Sequence, residues 1–144
     1  MEQEYENFMH RWFEEVWNRQ NEEAIDQMCA EDVVANGLTD AEGNTIRGIE
    51  AYKNLFRTFV SAYPNIKITV EDTISEGDKI AARCRVTATH EGEGLGIAPT
   101  NQPLEFTGIA MVRLNEDGKI AEAWNEFDFM KMYSQLGVLS LNLQ

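Results

Sequence analysis

The stretch Lys79-Ile-Ala-Ala-Arg-Cys-Arg-Val-Thr-Ala-Thr-His90 alternates with a period of two. Successive side chains of a strand point to opposite faces. Ile80, Ala82, Cys84, Val86, Ala88 and His90 therefore share one side, and Ala81, Arg83, Arg85, Thr87 and Thr89 the other. The first set is predicted to face the core, with His90 pointing inward at the strand's end and both arginines pointing away. Lys67–Ser75, Leu104–Leu114 and Lys119–Phe127 read as further strands, and Gly77-Asp78 and Asp117-Gly118 as hairpin turns between neighbours. Together they predict a meandering antiparallel sheet.

Three helices precede it. In Glu4–Asn18 the residues Tyr5, Phe8, Met9, Trp12, Phe13, Val16 and Trp17 fall on one wide apolar face, with His10 on the polar one. Asn21 is placed to cap a second helix, Glu22–Cys29, whose first turn carries Glu22 and Glu23. Glu31–Asn36 reads as a short extended piece, and the polar stretch Asn36–Arg47 as a loop with turn signals at Asp40 and Glu42-Gly43-Asn44. Gly48–Tyr63 is a third helix stopped by Pro64. Helices followed by an antiparallel meander define an α+β fold with the helices on one face. In Leu104–Leu114 both faces are apolar at the centre, so the outer face is expected to meet another subunit in a homodimer.

The 144 residues suit one domain, 1–144. A net charge of −13 repels phosphate backbones and anionic lipid, so neither nucleic acid nor a membrane surface is expected as a partner. The opening residues are charged and amphipathic rather than an apolar signal core, and no apolar run is long enough to span a bilayer, so a cytoplasmic location is expected. Cys29 and Cys84 have no CxxC spacing and no His at ligand spacing, which points to two reduced thiols and no metal site.

The chain's end carries the candidate chemistry. Trp124-Asn-Glu-Phe-Asp128-Phe delivers a carboxylate among aromatics just before a helix-like tail. Such a carboxylate loses hydration, which disfavours its charged form and suits it to proton transfer. The local alternative is an Asp that caps the tail's first turn. On a regular strand Trp124 and Glu126 share Asp128's face, Trp124 as pocket wall and Glu126 as a weaker second carboxylate, which a bulge near Asp128 would turn outward. Trp12 is the first-helix aromatic expected to line a cavity. The loop Glu91–Pro103 is a candidate lid.

Phe13-Glu-Glu-Val-Trp-Asn18, Ala30-Glu-Asp-Val-Val-Ala-Asn36, Ala62-Tyr-Pro64, Thr87-Ala-Thr-His-Glu-Gly92, Gly96-Ile-Ala-Pro-Thr100 and Gly118-Lys-Ile-Ala-Glu-Ala-Trp124, continuing through Asp128 to Gln135-Leu-Gly137, stand in an order that resembles the SnoaL-like polyketide cyclases of the nuclear-transport-factor-2-like superfamily. The resemblance implies a cone-shaped, strongly curved sheet that encloses a pocket with three helices and dimerises through its convex face. It implies a metal- and cofactor-free aldol-type cyclisation or isomerisation of a small hydrophobic carbonyl compound. Asp128 then matches the acid/base Asp, His90 the neighbouring His, and Asn36 a pocket-facing polar residue. Two departures are Asn125, where relatives often carry Asp, and Ala35, which lacks a polar side chain. The alternatives are a non-catalytic small-molecule-binding module of the same fold, an epoxide hydrolase and a ketosteroid-isomerase-like enzyme. The hydrolase needs two carboxylates bridged by a buried Arg, whereas Arg83, Arg85 and Arg113 all fall on outward faces.

Overall fold

A computed structural model describes residues 2–138, with side chains from residue 7 onward; Tyr5 lies outside the described side chains. The chain is α+β. Helix α1 (Glu2–Trp12) runs into a π-helical segment, Phe13–Asn18, and is followed by α2 (Glu23–Met28), β1 (Cys29–Thr39), β2 (Thr45–Arg47) and α3 (Ile49–Ala62). Strands β3 (Lys67–Glu76), β4 (Lys79–Thr89), β5 (Pro103–Leu114) and β6 (Ile120–Phe127) and helix α4 (Phe129–Gln135) complete it. All six strands form one sheet in the order β2-β1-β6-β5-β4-β3.

The predicted meander is present: β3, β4, β5 and β6 pair antiparallel in sequence order. Two things differ from the sequence reading. The extended piece after α2 is an eleven-residue strand, β1, and it pairs with β6 in parallel, so the sheet is mixed. The polar stretch before α3 also contributes a short edge strand, β2. The sequence reading covers the middle of β1, Glu31–Asn36, but a parallel partner far off in sequence leaves no local signal of the pairing. At α2 the Asn21 carbonyl, not its side chain, takes the first helical N–H, that of Ala24 at 3.1 Å.

The helices cover the concave face. Helix α1 and its π-helical extension pack on β3 and β4, α3 on β1 and β2, and α4 on β5. Burial follows the predicted alternation on β4: Ile80, Ala82, Cys84, Val86, Ala88 and His90 are all buried. On β5, Leu104, Phe106, Ala110, Val112 and Leu114 are buried, while Ile109 on the other face is 51% exposed.

Strand β6 is set by a bulge. Leu114 stands opposite Ile120, but Arg113 stands opposite Glu122, so Ala121 is an extra residue on β6. Beyond it, Ala110 faces Asn125 and Gly108 faces Phe127, whereas Met111 faces Trp124 and Ile109 faces Glu126. Directly opposed residues share a face. Asn125 and Phe127 therefore turn to the concave side, and Trp124 and Glu126 to the convex side. Strand β1 obeys the same register: Ala35 pairs with Ala123 and Asn36 with Trp124.

Asp128 caps helix α4: its carboxylate accepts the Lys131 backbone N–H at 3.0 Å. A cap of this kind satisfies one of the helix's orphan donors. Asp128→Ala is expected to cost about 1 kcal/mol of stability in urea unfolding and Asp128→Asn a few tenths, because Asn caps nearly as well.

Cys29 and Cys84 are free and buried, and burial pushes each thiol up from an ordinary 9.0 to about 12. The unfolded chain releases these protons first. Their contribution is complete below about pH 9 and is lost as pH rises toward 12. Urea midpoints should fall over that window, less steeply in a Cys29→Ala, Cys84→Ala double variant, and native protein at neutral pH should resist thiol reagents.

Candidate active site

The concave face holds an aromatic chamber. Trp12, Trp17 and Tyr52 form one wall, with Trp12–Tyr52 centroids 5.6 Å apart and Trp17–Tyr52 6.4 Å. Phe59, Phe127 and Phe129 form the other: Phe129 stacks on Phe59 at 6.1 Å and on Phe127 at 6.4 Å, and Phe106 backs it at 6.2 Å. Leu38, Leu55, Ile66, Ile68 and Val86 fill the gaps. Apolar walls with few convergent polar groups are the usual make-up of a small-molecule site.

One amide breaks this surface. Asn125 lines the chamber, and its Nδ2 donates to the Asn36 backbone carbonyl at 3.0 Å. That bond uses one of its two N–H groups, so a second N–H and the Oδ1 acceptor remain for a ligand. Two glycines make the arrangement possible. A Cβ on Gly37, at φ +84°, would lie 1.9 Å from the Asn125 carbonyl oxygen, and one on Gly108 would lie 2.3 Å from the Phe127 ring. Among the described residues Tyr52 is the only titratable side chain lining the chamber, and burial pushes its phenol well above its ordinary value, partly opposed by a hydrogen bond from Trp17.

Of the six candidate site residues, Trp12 lines this chamber and Asp128, His90, Asn36, Trp124 and Glu126 do not. Trp124 and Glu126 are on the convex face, for the register reason given above. Asp128 is exposed, caps α4, and borders a shallow convex-face concavity with Arg83, Thr107, Ile109 and Glu126. Its expected desolvation is therefore absent: the flanking Phe127 and Phe129 rings turn to the concave side while its carboxylate turns away. The Asn36 side chain donates to Glu122 Oε2 at 3.0 Å and to the Ala123 carbonyl at 3.1 Å rather than entering the chamber. Only its backbone carbonyl serves the site, by orienting Asn125.

His90 points inward and is fully buried, as its strand alternation requires, but it does not line the chamber. Its Nδ1 accepts the Thr100 backbone N–H at 3.2 Å and lies 3.1 Å from Thr100 Oγ1. The neutral ring then carries its proton on Nε2. Its ring meets Tyr63 at 5.7 Å, and Tyr63 meets Phe59 at 6.3 Å, so two aromatic side chains link it to the chamber wall. His90 Nε2 and the Tyr63 hydroxyl are buried without a partner among the described residues.

Loop 91–102 stands at the mouth. His90 N–H donates to the Gln102 carbonyl and Asn101 N–H to the His90 carbonyl, closing its base. Gly92 and Gly94 lie so close to α3 that a Cβ on either would approach the Ser61 or Thr58 carbonyl oxygen within 1.8 Å or 2.5 Å. The loop thereby brings Gly94, Leu95 and Gly96 to a wide cleft over the chamber. Arg83 and Arg85 pair on the convex face with Glu71, Asp72 and Glu105, so no buried arginine bridges two carboxylates there. Among the described residues no cluster of three His, Cys, Asp or Glu side chains is placed to hold a metal ion, and no helix is long and apolar enough to cross a membrane.

Comparison with known proteins fits this architecture. The profile of the SnoaL-like polyketide cyclases matches residues 7–136. IdmH, a candidate polyketide cyclase from Streptomyces antibioticus, is 31% identical, with 92% of this chain and 97% of that one covered at a TM-score of 0.77. AclR, a candidate hydroxylase from Streptomyces galilaeus, is 25% identical over 99% and 90% at a TM-score of 0.82. A candidate polyketide cyclase from Bacillus cereus is 27% identical over 92% and 80% at 0.76. No curated protein matches the sequence. With its curved six-stranded sheet, its aromatic chamber and a family match over nearly its whole length, the chain belongs to the SnoaL-like polyketide cyclase family.

Proposed function

We propose that the protein binds a small hydrophobic carbonyl compound in the aromatic chamber and promotes its aldol-type cyclisation or isomerisation. The observation that carries this reading is Asn125, an oriented amide with a free donor and acceptor in a wall that is otherwise aromatic and aliphatic. In a ring closure of this type the carbon alpha to one carbonyl bonds to the carbon of another. An enol O–H is lost, and the new alkoxide gains a proton. Asn125 Oδ1 can accept from the enol while its free N–H stabilises the developing alkoxide. An amide cannot carry the proton away. The reading therefore assigns the transfer to the substrate's own enol form, which favours compounds with a methylene between two carbonyls. The walls of the chamber and of the cleft over it hold the two carbons together, which by itself lowers a barrier substantially.

Neither Asp128 nor His90 is used as the acid/base in this reading. Asp128 lies on the other face of the sheet, and His90 Nδ1 is committed to Thr100. The same lack of a lining carboxylate or imidazole supports a second reading, a binding module without turnover. Single-turnover ring closure of a tethered beta-diketone separates the two, since only the first predicts product above the uncatalysed rate.

Association of two copies through the convex face belongs to the same proposal. Ile74 is 74% and Ile109 51% exposed there, with Met111 and Trp124 partly exposed beside Ile109. Sedimentation at micromolar concentration should give a dimer, and Ile109→Lys should give a monomer of unchanged fold.

For the chamber itself, an aryl methyl ketone should quench Trp12 and Trp17 fluorescence. Asn125→Leu should weaken that binding roughly three- to tenfold, the worth of one neutral hydrogen bond. Unchanged affinity in Asn125→Leu would remove Asn125 from the site.

A further inference from the structure

We infer that the ligand is a two-part molecule, a compact carbonyl head carrying a bulkier tail that is neutral or cationic, and that Glu42 and Asp40 at the mouth select against an anionic tail. The inference rests on the pocket reading above and adds the substrate's shape and charge. Free space in the inner chamber is about 60 Å³, enough for a few water-sized groups and no more. The cleft outside it holds about 890 Å³. Leu38, Leu55, Phe59 and Phe129 line both and form the neck between them. A ligand that reaches Asn125 therefore does so head first and leaves most of its bulk in the cleft.

The cleft differs from the chamber in chemistry. Asn54, Thr58 and Tyr133 offer hydrogen bonds, Asp40 and Glu42 offer carboxylates, and no Lys, Arg or His is among the lining residues. Asp40 Oδ1 accepts the Glu42 and Asn44 backbone N–H groups at 2.9 and 2.8 Å, and these bonds hold its carboxyl below the usual range and ionised near neutrality. The cations of α3 are committed elsewhere: Lys53 to Asp26 at 2.8 Å and Arg57 to Glu22 at 2.7 Å. An incoming carboxylate or phosphate would meet like charge with nothing to pair it. Because the cleft is open to water the selection is several-fold, not absolute, and salt must weaken it.

The test uses three para-substituted acetophenones that share the ketone head and carry an aminomethyl, a hydroxymethyl or a carboxylate tail, titrated against tryptophan fluorescence and by calorimetry. At about 20 mM salt the ammonium compound should bind roughly five- to tenfold tighter than the carboxylate, with the alcohol between, and the spread should fall below about twofold at 0.5 M salt. Glu42→Gln should narrow the spread. Glu76→Gln removes the same charge from β3, the edge strand at the other end of the sheet, and should not. Equal binding of all three, tightest binding of the carboxylate, or an equal response to both substitutions overturns the charge selection and leaves the chamber reading standing. If none of the three binds, the chamber reading fails and this inference with it.

Discussion

A single extra residue in the β5–β6 hairpin decides which side chains of β6 the pocket receives. With Leu114 opposite Ile120, an unbroken ladder would carry Ala110 opposite Trp124 and Gly108 opposite Glu126. The bulge at Ala121 advances β6 by one, so Ala110 meets Asn125 and Gly108 meets Phe127. Strand side chains alternate with a period of two, and a one-residue shift exchanges the two faces completely. An indole and a carboxylate are thereby sent to the convex side, and an amide and a phenyl ring to the concave side.

The rest of the site is built to accept that choice. Phe127 can lie against β5 only because Gly108 has no Cβ, and the Asn125 backbone can approach β1 only because Gly37 has none. Ala35 and Ala123, paired across the parallel β1–β6 ladder, keep the inner surface low around the amide. The Asn36 carbonyl then orients Asn125. A primary amide in an apolar wall is costly unless bonded. Here half its donor capacity is satisfied by the protein, and the remainder is left for a polar group of the ligand.

The mouth is organised by other means. His90 ends the buried face of β4 and spends Nδ1 on the Thr100 backbone, which ties the far end of loop 91–102 to the core. Gly92 and Gly94 press the near end of the loop against α3. A histidine that looks catalytic by position is thus engaged in holding the wall of the cleft. His90 Nε2 and the Tyr63 hydroxyl are buried without a hydrogen-bond partner among the described residues. They sit on the loop side of Phe59, outside the chamber lining.

Much of the fold was legible in the sequence by itself. The helix faces of α1 and α3, the inward set of β4 ending at His90 and the antiparallel order of β3 to β6 all follow from local periodicity and turn residues. These are short-range properties, and burial amplifies them. Trp12 belonged to the same legible part, since its helix face could pack only against the sheet. The parallel pairing of β1 with β6 was not readable, because a parallel partner lies far away in sequence and leaves no local signal. A bulge that turns Glu126 outward is a sequence-level alternative, but its position is not readable, since no residue of the Asp117-Gly118 turn reports the added Ala121. A regular hairpin gives the phase that points Trp124 and Glu126 into the pocket, whereas Asp128 and Asn36 are pocket candidates by family resemblance, and Asn125 stands out only as a departure from relatives. Tertiary register places that amide inside and Trp124 and Glu126 outside, while the α4 cap and the hydrogen bonds to Glu122 and Ala123 hold Asp128 and Asn36 away from the chamber.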